Sequence, residues 1–164
     1  MAAGRHKKEA ARPSPGGAAF HLQEFLPYAI TVLAGQMSDQ FAAQYRSRFN
    51  ISVAEWRVLA HVADDDQLSV REISAAVVLD KAKTSRAIAR LEAAGHVRKR
   101  AGKTDGRLIR VSLTPKGRRL YDRIVPLANA FQASLLDALD PAARTELADA
   151  LARLRAKLDR LSGS

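Results

Sequence analysis

The sequence predicts a mostly α-helical protein with one small β-hairpin, and three observations favour this fold class. Apolar residues recur at three- and four-residue steps along most of the 164 residues, which is the period of amphipathic helices. One stretch, Ile109–Leu113, alternates apolar and polar residues instead, as a half-buried strand does. Capping signals, each a Ser, Thr or Asp directly before a helical pattern, mark where the helices begin.

The N-terminal part of the chain predicts a tail followed by one long helix. Residues 1–18 carry Pro, Gly, Lys and Arg with almost no large apolar residue, so we expect a disordered basic tail. Pro27 suits a first helical turn, where its missing N–H is harmless. The apolar period then continues to about Phe49, which makes residues 19–52 the region of one amphipathic helix.

The next three helices are short, and their starts are marked by capping residues. The spacing Ser-x-x-Glu, a capping box, begins at Ser52 and again at Ser69, and a short helix follows each. Asp80 is the predicted N-cap of a strongly basic helix that runs to Gly95. Two short helices a few residues apart, the second strongly basic, are typical of a helix-turn-helix.

A β-hairpin follows these helices directly. Residues 97–100 are strand-like, residues 101–106 are rich in turn formers, and Ile109–Leu113 alternates. A helix-turn-helix followed by a hairpin describes a winged helix. We therefore assign residues 53–114 to a winged helix-turn-helix DNA-binding domain.

Residues 115–164 predict two long helices that begin at Thr114-Pro115 and at Asp140-Pro141. Leucines in the second helix step by four, three and four residues, which is the spacing of a heptad seam; they are Leu147, Leu151, Leu154 and Leu158. A winged helix of about 65 residues cannot bury three long amphipathic helices by itself. We expect a dimerisation layer built from the N- and C-terminal helices, and hence a homodimer.

The positive charge of the chain is confined to one region. The formal net charge is +10, and residues 71–119 hold 14 Lys and Arg against four Asp and Glu, while the rest of the chain is balanced. A surface selected only for solubility would scatter its charge. A contiguous basic block fits a polyanionic partner, and double-stranded DNA fits a winged helix.

The predicted helix over residues 80–95 separates into two faces. Lys83, Arg86 and Arg90 lie at i, i+3 and i+7 and share the outward face. Ser85 lies beside them, and Lys81 precedes them. The inward face carries Thr84, Ala87, Ile88 and Leu91. Because arginine grips guanine bidentately and serine and lysine bond base edges or phosphates, the five polar residues predict a recognition helix.

The hairpin tip supplies further DNA-binding candidates. Lys103 and Arg107, with Arg100 as a further candidate, lie at or near the tip of the predicted wing, where an arginine suits the negative potential of the minor groove. Asp105 is negative among positive neighbours. We expect it to orient Arg107 or to close the turn.

Several function classes are disfavoured. The chain has no cysteine, which removes disulfides, thiolate metal sites and cysteine nucleophiles. It has no phosphate-binding glycine loop, nucleophile elbow or H-E-x-x-H motif, so we expect neither an enzyme nor a cofactor. The four histidines are scattered, which argues against a metal site. No apolar run approaches the length of a membrane span, and we expect a cytoplasmic protein.

Three segments together resemble the MarR (multiple antibiotic resistance regulator) family over most of the chain. They are residues 79–95 (LDKAKTSRAIARLEAAG), the wing sequence Asp105-Gly106-Arg107, and residues 113–117 (LTPKG). Many members have a second arginine at the wing position that is Gly106 here. The resemblance implies a homodimeric winged-helix transcription factor, usually a repressor, that binds palindromic operators and releases them on binding a small, often aromatic, ligand.

The resemblance also implies roles for individual residues. Ser85, Arg86 and Arg90 match the helix that contacts bases and phosphates, and Arg107 matches the minor-groove arginine of the wing. The effector pocket of the family lies between the dimer helices and the winged helix, where Tyr28, Trp56 and Arg57 are the candidates.

A finer resemblance concerns the effector. Residues 25–28 (FLPY), residues 55–60 (EWRVLA) and the pair Asp80-Lys81 are similar to the branch that controls breakdown of hydroxycinnamates and other aromatic acids. This implies an aromatic acid or its CoA thioester as effector. Trp56 has a second interpretation, as a core residue, because its spacing to Leu59 and Ala63 already explains it.

Two other functions remain open on the sequence alone. One is a sequence-independent protein that coats DNA as a nucleoid component, which would share the basic block but need no effector pocket and no palindrome. The other is a winged helix used for protein or RNA contact. The basic stripe at i, i+3 and i+7 favours DNA, and dependence on duplex sequence separates a regulator from the others.

Overall fold

A computed structural model describes residues 20–65, 68–77, 79–101 and 109–163. They form two compact units, residues 20–36 and residues 37–163. The tail predicted over residues 1–18 lies outside the described residues. No helix in the described part of the chain is long and apolar enough to cross a membrane.

The first unit consists of a short 3-10 helix, Leu22–Glu24, and the beginning of helix α1, Leu26–Phe49. Pro27 lies in the first turn of α1 as predicted. Most of the large apolar side chains of this unit are exposed. They include Phe20, Leu22, Phe25, Leu26, Tyr28, Ile30, Val32 and Leu33.

In the residues that the structure describes, the second unit contains the rest of α1 and five further helices. These are α2 (Val53–Asp64), α3 (Val70–Ala76), α4 (Lys81–Ala93), α5 (Pro115–Leu136) and α6 (Pro141–Ser162). Both predicted capping boxes are formed. The hydroxyls of Ser52 and Ser69 accept backbone N–H groups of α2 and α3, and in each box a glutamate side chain accepts the backbone N–H of the serine. Asp80, Thr114 and Asp140 cap α4, α5 and α6. The predicted helix starts are thus confirmed.

Within the described part of the chain the sheet has three strands, where the sequence predicts a two-stranded hairpin. Strands β2 (Val97–Ala101) and β3 (Ile109–Leu113) form the hairpin, and β1 (Leu68–Ser69) joins the other edge of β3. All pairs are antiparallel. A two-residue strand has no alternation to detect, and only its pairing with β3 makes β1 a strand.

The core of the second unit lies between the helices and one face of the sheet. Leu59 from α2, Ile73 from α3, Ile88 from α4, Val111 from β3 and Ile124 from α5 are at most 1% exposed. Helix α6 contributes no buried residue. The fold is therefore mostly helical with a small antiparallel sheet, as the sequence predicts, and it presents α4 next to the hairpin.

Candidate nucleic-acid interface

Helix α4 is held by its cap and by one apolar face. The carboxylate of Asp80 accepts the backbone N–H of Lys83 at 2.7 Å, and this bond is the main reason why the pKa of Asp80 lies below its usual range. The side chains of Thr84, Ala87, Ile88 and Leu91 are all buried, as predicted. Packing of this face against α2 and α3 fixes the rotation of the helix.

The opposite face of α4 is basic and exposed. Lys81, Lys83, Ser85, Arg86 and Arg90 all point to solvent. Lys83 forms an exposed ion pair with Asp80, with Nζ 3.2 Å from Oδ2. Neither Arg86 nor Arg90 forms an ion pair with any residue that the structure describes. Their guanidinium groups are thus available to an external anion.

The C-terminal end of α4 is fastened to the start of α5. Gly95 has a φ of 72°, the left-handed conformation expected just past a helix end. The Thr114 hydroxyl donates to the carbonyl oxygen of Gly95 at 2.7 Å, and the Thr114 N–H donates to that of His96 at 3.0 Å. The Lys116 ammonium donates to the carbonyl of Ala94 at 2.8 Å. We call residues 94–96 and 114–117 the helix joint.

His96 in the helix joint leads us to expect that the stability of the protein depends on pH. Its Nδ1 is buried and has no hydrogen-bond partner among the described residues. Burial, and then the charge of the neighbouring Lys116, lower the pKa of His96, while hydrogen bonding to the Lys116 backbone and the charge of Glu55 act in the opposite direction. Because the unfolded chain binds this proton more readily, the free energy of unfolding should fall as pH drops from about 6.5 through the lower pKa of the folded state.

Urea denaturation of the wild type and of His96→Leu at pH 7, 6 and 5 measures this dependence. We expect the wild type to lose more stability than the variant over this range. Equal slopes for the wild type and His96→Leu would show that His96 does not cause the dependence.

The hairpin beside α4 is held by polar pairs. The Lys99 ammonium lies 2.7 Å from a carboxylate oxygen of Glu92 on α4. The Arg98 Nε donates to the Ser112 hydroxyl across the strands at 3.0 Å. The predicted wing residues Lys103, Asp105 and Arg107 lie outside the described residues, as does the loop between the strands.

Trp56, an effector-pocket candidate, lies in an aromatic cluster of the second unit. Its ring stacks on Tyr121 at 6.0 Å between centroids and meets Phe41 edge-on at 5.8 Å. Phe41 in turn stacks on Phe131 at 5.5 Å. Burial raises the pKa of the adjacent Tyr45 phenol to about 12. The sequence does not predict this cluster, because its members come from three separate helices and share no local spacing.

The other two effector-pocket candidates have different surroundings. Arg57 is half-buried on α2. Tyr28 belongs to the first unit, where it lines a cleft of about 360 Å³ with Val32 and Leu33. The lining of that cleft is both apolar and polar, because Gln23 and Gln36 also line it.

A cleft of about 480 Å³ lies beside the end of α4, and no pattern in the sequence predicts it. Arg46 from α1 and Arg90 from α4 line it together with Glu55 of the first capping box. Asn50, which also lines it, has a φ of 52°. Arg90 is therefore placed at the border between the basic face of α4 and this cleft.

The predicted dimerisation residues form an exposed apolar row on α6. Leu147, Leu151, Leu154 and Leu158 are 44, 51, 38 and 63% exposed. Water would be in contact with a continuous row of leucines on an isolated chain, which is unfavourable for a soluble helix. The row is thus an apolar surface that is suited to packing against another protein surface.

Comparisons with known proteins agree with this geometry. Residues 49–108 match a model described as the MarR family. The chain is 32% identical over 127 residues to the HTH-type transcriptional regulator TtmR of Methylorubrum extorquens, in a match that covers 76% of this chain. The matched region spans 64% of the length of that curated relative, slightly less than two thirds.

Two solved structures extend the likeness to nearly all of the described fold. A MarR/EmrR family transcriptional regulator from Acinetobacter sp. ADP1 has a TM-score of 0.77 and 27% identity, covering 86% of this chain and 99% of that one. Bordetella bronchiseptica BpsR, whose DNA binding is regulated by 6-hydroxynicotinic acid, has a TM-score of 0.74 and covers 84% and 98%. At 24% identity, BpsR shows the shared fold alone. TtmR and the Acinetobacter protein are both described as transcriptional regulators.

Proposed function

This chain belongs to the MarR family, and from that premise we propose that it is a homodimeric transcriptional regulator, most simply a repressor, that binds a palindromic DNA operator. The observation that carries the proposal is the exposed basic face of α4, on which neither Arg86 nor Arg90 is in an ion pair with a described residue. Such a face, opposite an apolar one, has the composition of a recognition helix.

The DNA-binding set consists of residues on α4 and in the wing. On α4, Arg86 and Arg90 read base edges, while Lys81, Lys83 and Ser85 hold the backbone or add contacts. In the wing, Lys103 and Arg107 bind the flanking minor groove, and Asp105 orients Arg107. In a twofold dimer the two recognition helices read half-sites about one helical turn, roughly 10 bp, apart.

The dimer is formed by the apolar surfaces that remain exposed on each chain. The leucine row of α6 and the exposed apolar residues of the first unit supply the area of such a layer. We propose residues 19–52 and 115–164 as the dimerisation parts and residues 53–114 as the DNA-binding part. Because its partner is chromosomal DNA, the protein acts in the cytoplasm.

We propose an aromatic acid or its CoA thioester as the effector that releases DNA. The half-buried aromatic cluster around Trp56 supports this, since stacking surfaces favour a planar ligand. Arg57 would pair with its carboxylate, and Tyr28 is the candidate in the first unit. Trp56 is the only tryptophan of the chain, so its fluorescence reports ligand binding directly. Hydroxycinnamates and their CoA thioesters are the first compounds to titrate.

Selection from random DNA duplexes at about 150 mM salt tests the proposal, because non-specific phosphate binding is weakened there. Enrichment of a palindrome with half-sites about one turn apart supports a dimeric regulator. Retention of DNA without sequence enrichment would instead identify a DNA-coating protein, and no retention at all would favour a protein or RNA partner.

The Arg86→Ala variant should bind the selected operator more weakly by about 1–3 kcal/mol, because one bidentate base contact is lost. Fluorescence anisotropy with labelled operator measures the change. Arg153→Ala, which removes an exposed arginine on α6, is the matched control and should bind as the wild type does. Unchanged operator binding by both Arg86→Ala and Arg90→Ala would contradict the assignment of α4.

A further inference from the structure

Lys99 occupies an unusual position in the hairpin for a charged residue. It follows Val97 by two residues on β2 and pairs with Val111 of β3, so its side chain starts on the same face of the sheet as those two valines. Val97 and Val111 are 2% and 0% exposed and belong to the core. A lysine on the core-facing side of a strand is unfavourable unless its ammonium group reaches a polar partner.

The ammonium group of Lys99 reaches such a partner on helix α4. Its Nζ lies 2.7 Å from a carboxylate oxygen of Glu92, in the last turn of α4, and the two side chains are 31% and 40% exposed. Because β2 is an edge strand of the described sheet, an inward-facing lysine could simply prevent pairing with another chain. That explanation does not require a carboxylate opposite the lysine. The ion pair therefore links the hairpin directly to α4.

The ion pair lies where the hairpin extends beyond the core. Val111 supports β3 at this level, and β1 pairs with β3 there as well. On the other strand, the contact between Lys99 and Glu92 is the corresponding support. Further out, neither strand has a buried residue among those described; these outer residues are Arg100, Ala101, Ile109 and Arg110. The direction in which the hairpin extends therefore depends on the supports at Lys99 and Val111.

We propose that the ion pair between Glu92 and Lys99 holds the hairpin at the angle to α4 that lets the wing and the recognition helix bind one operator half-site together. This inference rests on the proposed DNA-binding function. It makes Glu92 a positioning residue, which strengthens operator binding although its own charge is negative.

The sign of the effect at Glu92 distinguishes this inference from simple electrostatics. A carboxylate on a helix that binds DNA repels the phosphates, so charge alone predicts that its removal strengthens binding. If the carboxylate instead holds the hairpin, its removal leaves the hairpin in the binding orientation in only a fraction of the molecules. The apparent affinity for the operator falls by that fraction.

Fluorescence anisotropy with the selected operator and with a random duplex of equal length tests the inference. Glu92→Gln should bind the operator about three- to tenfold more weakly than the wild type does, because fewer molecules have the hairpin in place. It should bind the random duplex at least as tightly as the wild type, since non-specific binding follows the charge. A variant that merely failed to fold would lose affinity for both duplexes.

Replacement of Lys99 completes a double-mutant cycle. Lys99→Arg keeps the ion pair and should bind the operator as the wild type does. In Lys99→Met the ion pair is already absent, so the addition of Glu92→Gln should cause no further loss. Asp149→Asn removes an exposed carboxylate on α6 and is the control for charge, which should leave the affinity unchanged.

Two outcomes would overturn the inference and leave the proposed function standing. One is that Glu92→Gln binds the operator as tightly as the wild type or more tightly. The other is that Glu92→Gln weakens operator binding equally in the wild type and in Lys99→Met. Absence of sequence-selective binding by the wild type would instead count against the proposed function.

Discussion

The Gly117→Ala variant should lose about 3 kcal/mol of its free energy of unfolding, because the helix joint has no room for a methyl group. A Cβ built on Gly117 would lie 1.9 Å from the carbonyl oxygen of His96 and 2.9 Å from its carbonyl carbon. Both atoms belong to the backbone, so no side-chain rotation relieves the clash. Either α5 or the end of α4 must shift, and the Thr114 bonds across the joint are stretched.

Urea denaturation of the two proteins measures this loss, and Gly35→Ala is the matched control. Gly35 lies within α1, and a Cβ built on it would meet no atom within 4 Å. Replacing a helical glycine in open space should leave stability unchanged or raise it by up to about 1 kcal/mol. Wild-type stability in Gly117→Ala would mean that the close approach in the joint is not a constraint on the protein.

The second large effect is expected at the leucine row of α6. Leu154→Glu would place two carboxylates in the proposed dimer interface, one from each chain, where burial of an unpaired charge is strongly unfavourable. The dimer dissociation constant should rise at least about a hundredfold, which corresponds to about 3 kcal/mol. Light scattering at micromolar concentration should therefore report monomers, and operator binding should be lost with the dimer.

A charge-matched variant separates this effect from the added charge itself. Ala156→Glu introduces the same carboxylate two residues further along α6, on the side of the helix opposite the leucine row. We expect it to remain dimeric and to bind the operator. A dimeric Leu154→Glu would mean that the row is covered in some other way, for example by another part of the same chain.

The helices and the basic face of α4 could be predicted because local chemistry determines them. Ser52, Ser69 and Asp80 each satisfy backbone N–H groups within three residues, so their caps are readable from short spacings. The two faces of α4 follow from the helical period alone, and Thr84 and Arg86 lie where that period places them.

The features that were missed depend on contacts between distant parts of the chain. Leu68 and Ser69 are a strand only because β3 passes beside them. Trp56, Tyr121 and Phe131 meet because three helices converge, and no spacing in the sequence encodes that meeting. In the sequence, Gly117 is only a residue with low helix propensity. The need for a glycine there follows from the close approach of the His96 backbone, which only the structure shows. Tertiary packing supplies this information, and local pattern does not.

The helix joint has a further consequence for the order in which the protein folds. Its side-chain hydrogen bonds connect residues only 18 to 22 positions apart, so little chain entropy is lost when they form. Contacts of such short sequence separation form early in folding. We expect them also to join α4, the hairpin and the first turn of α5 into one cooperative unit of hydrogen exchange. Local unfolding therefore cannot release the recognition helix by itself: the start of α5 must open with it.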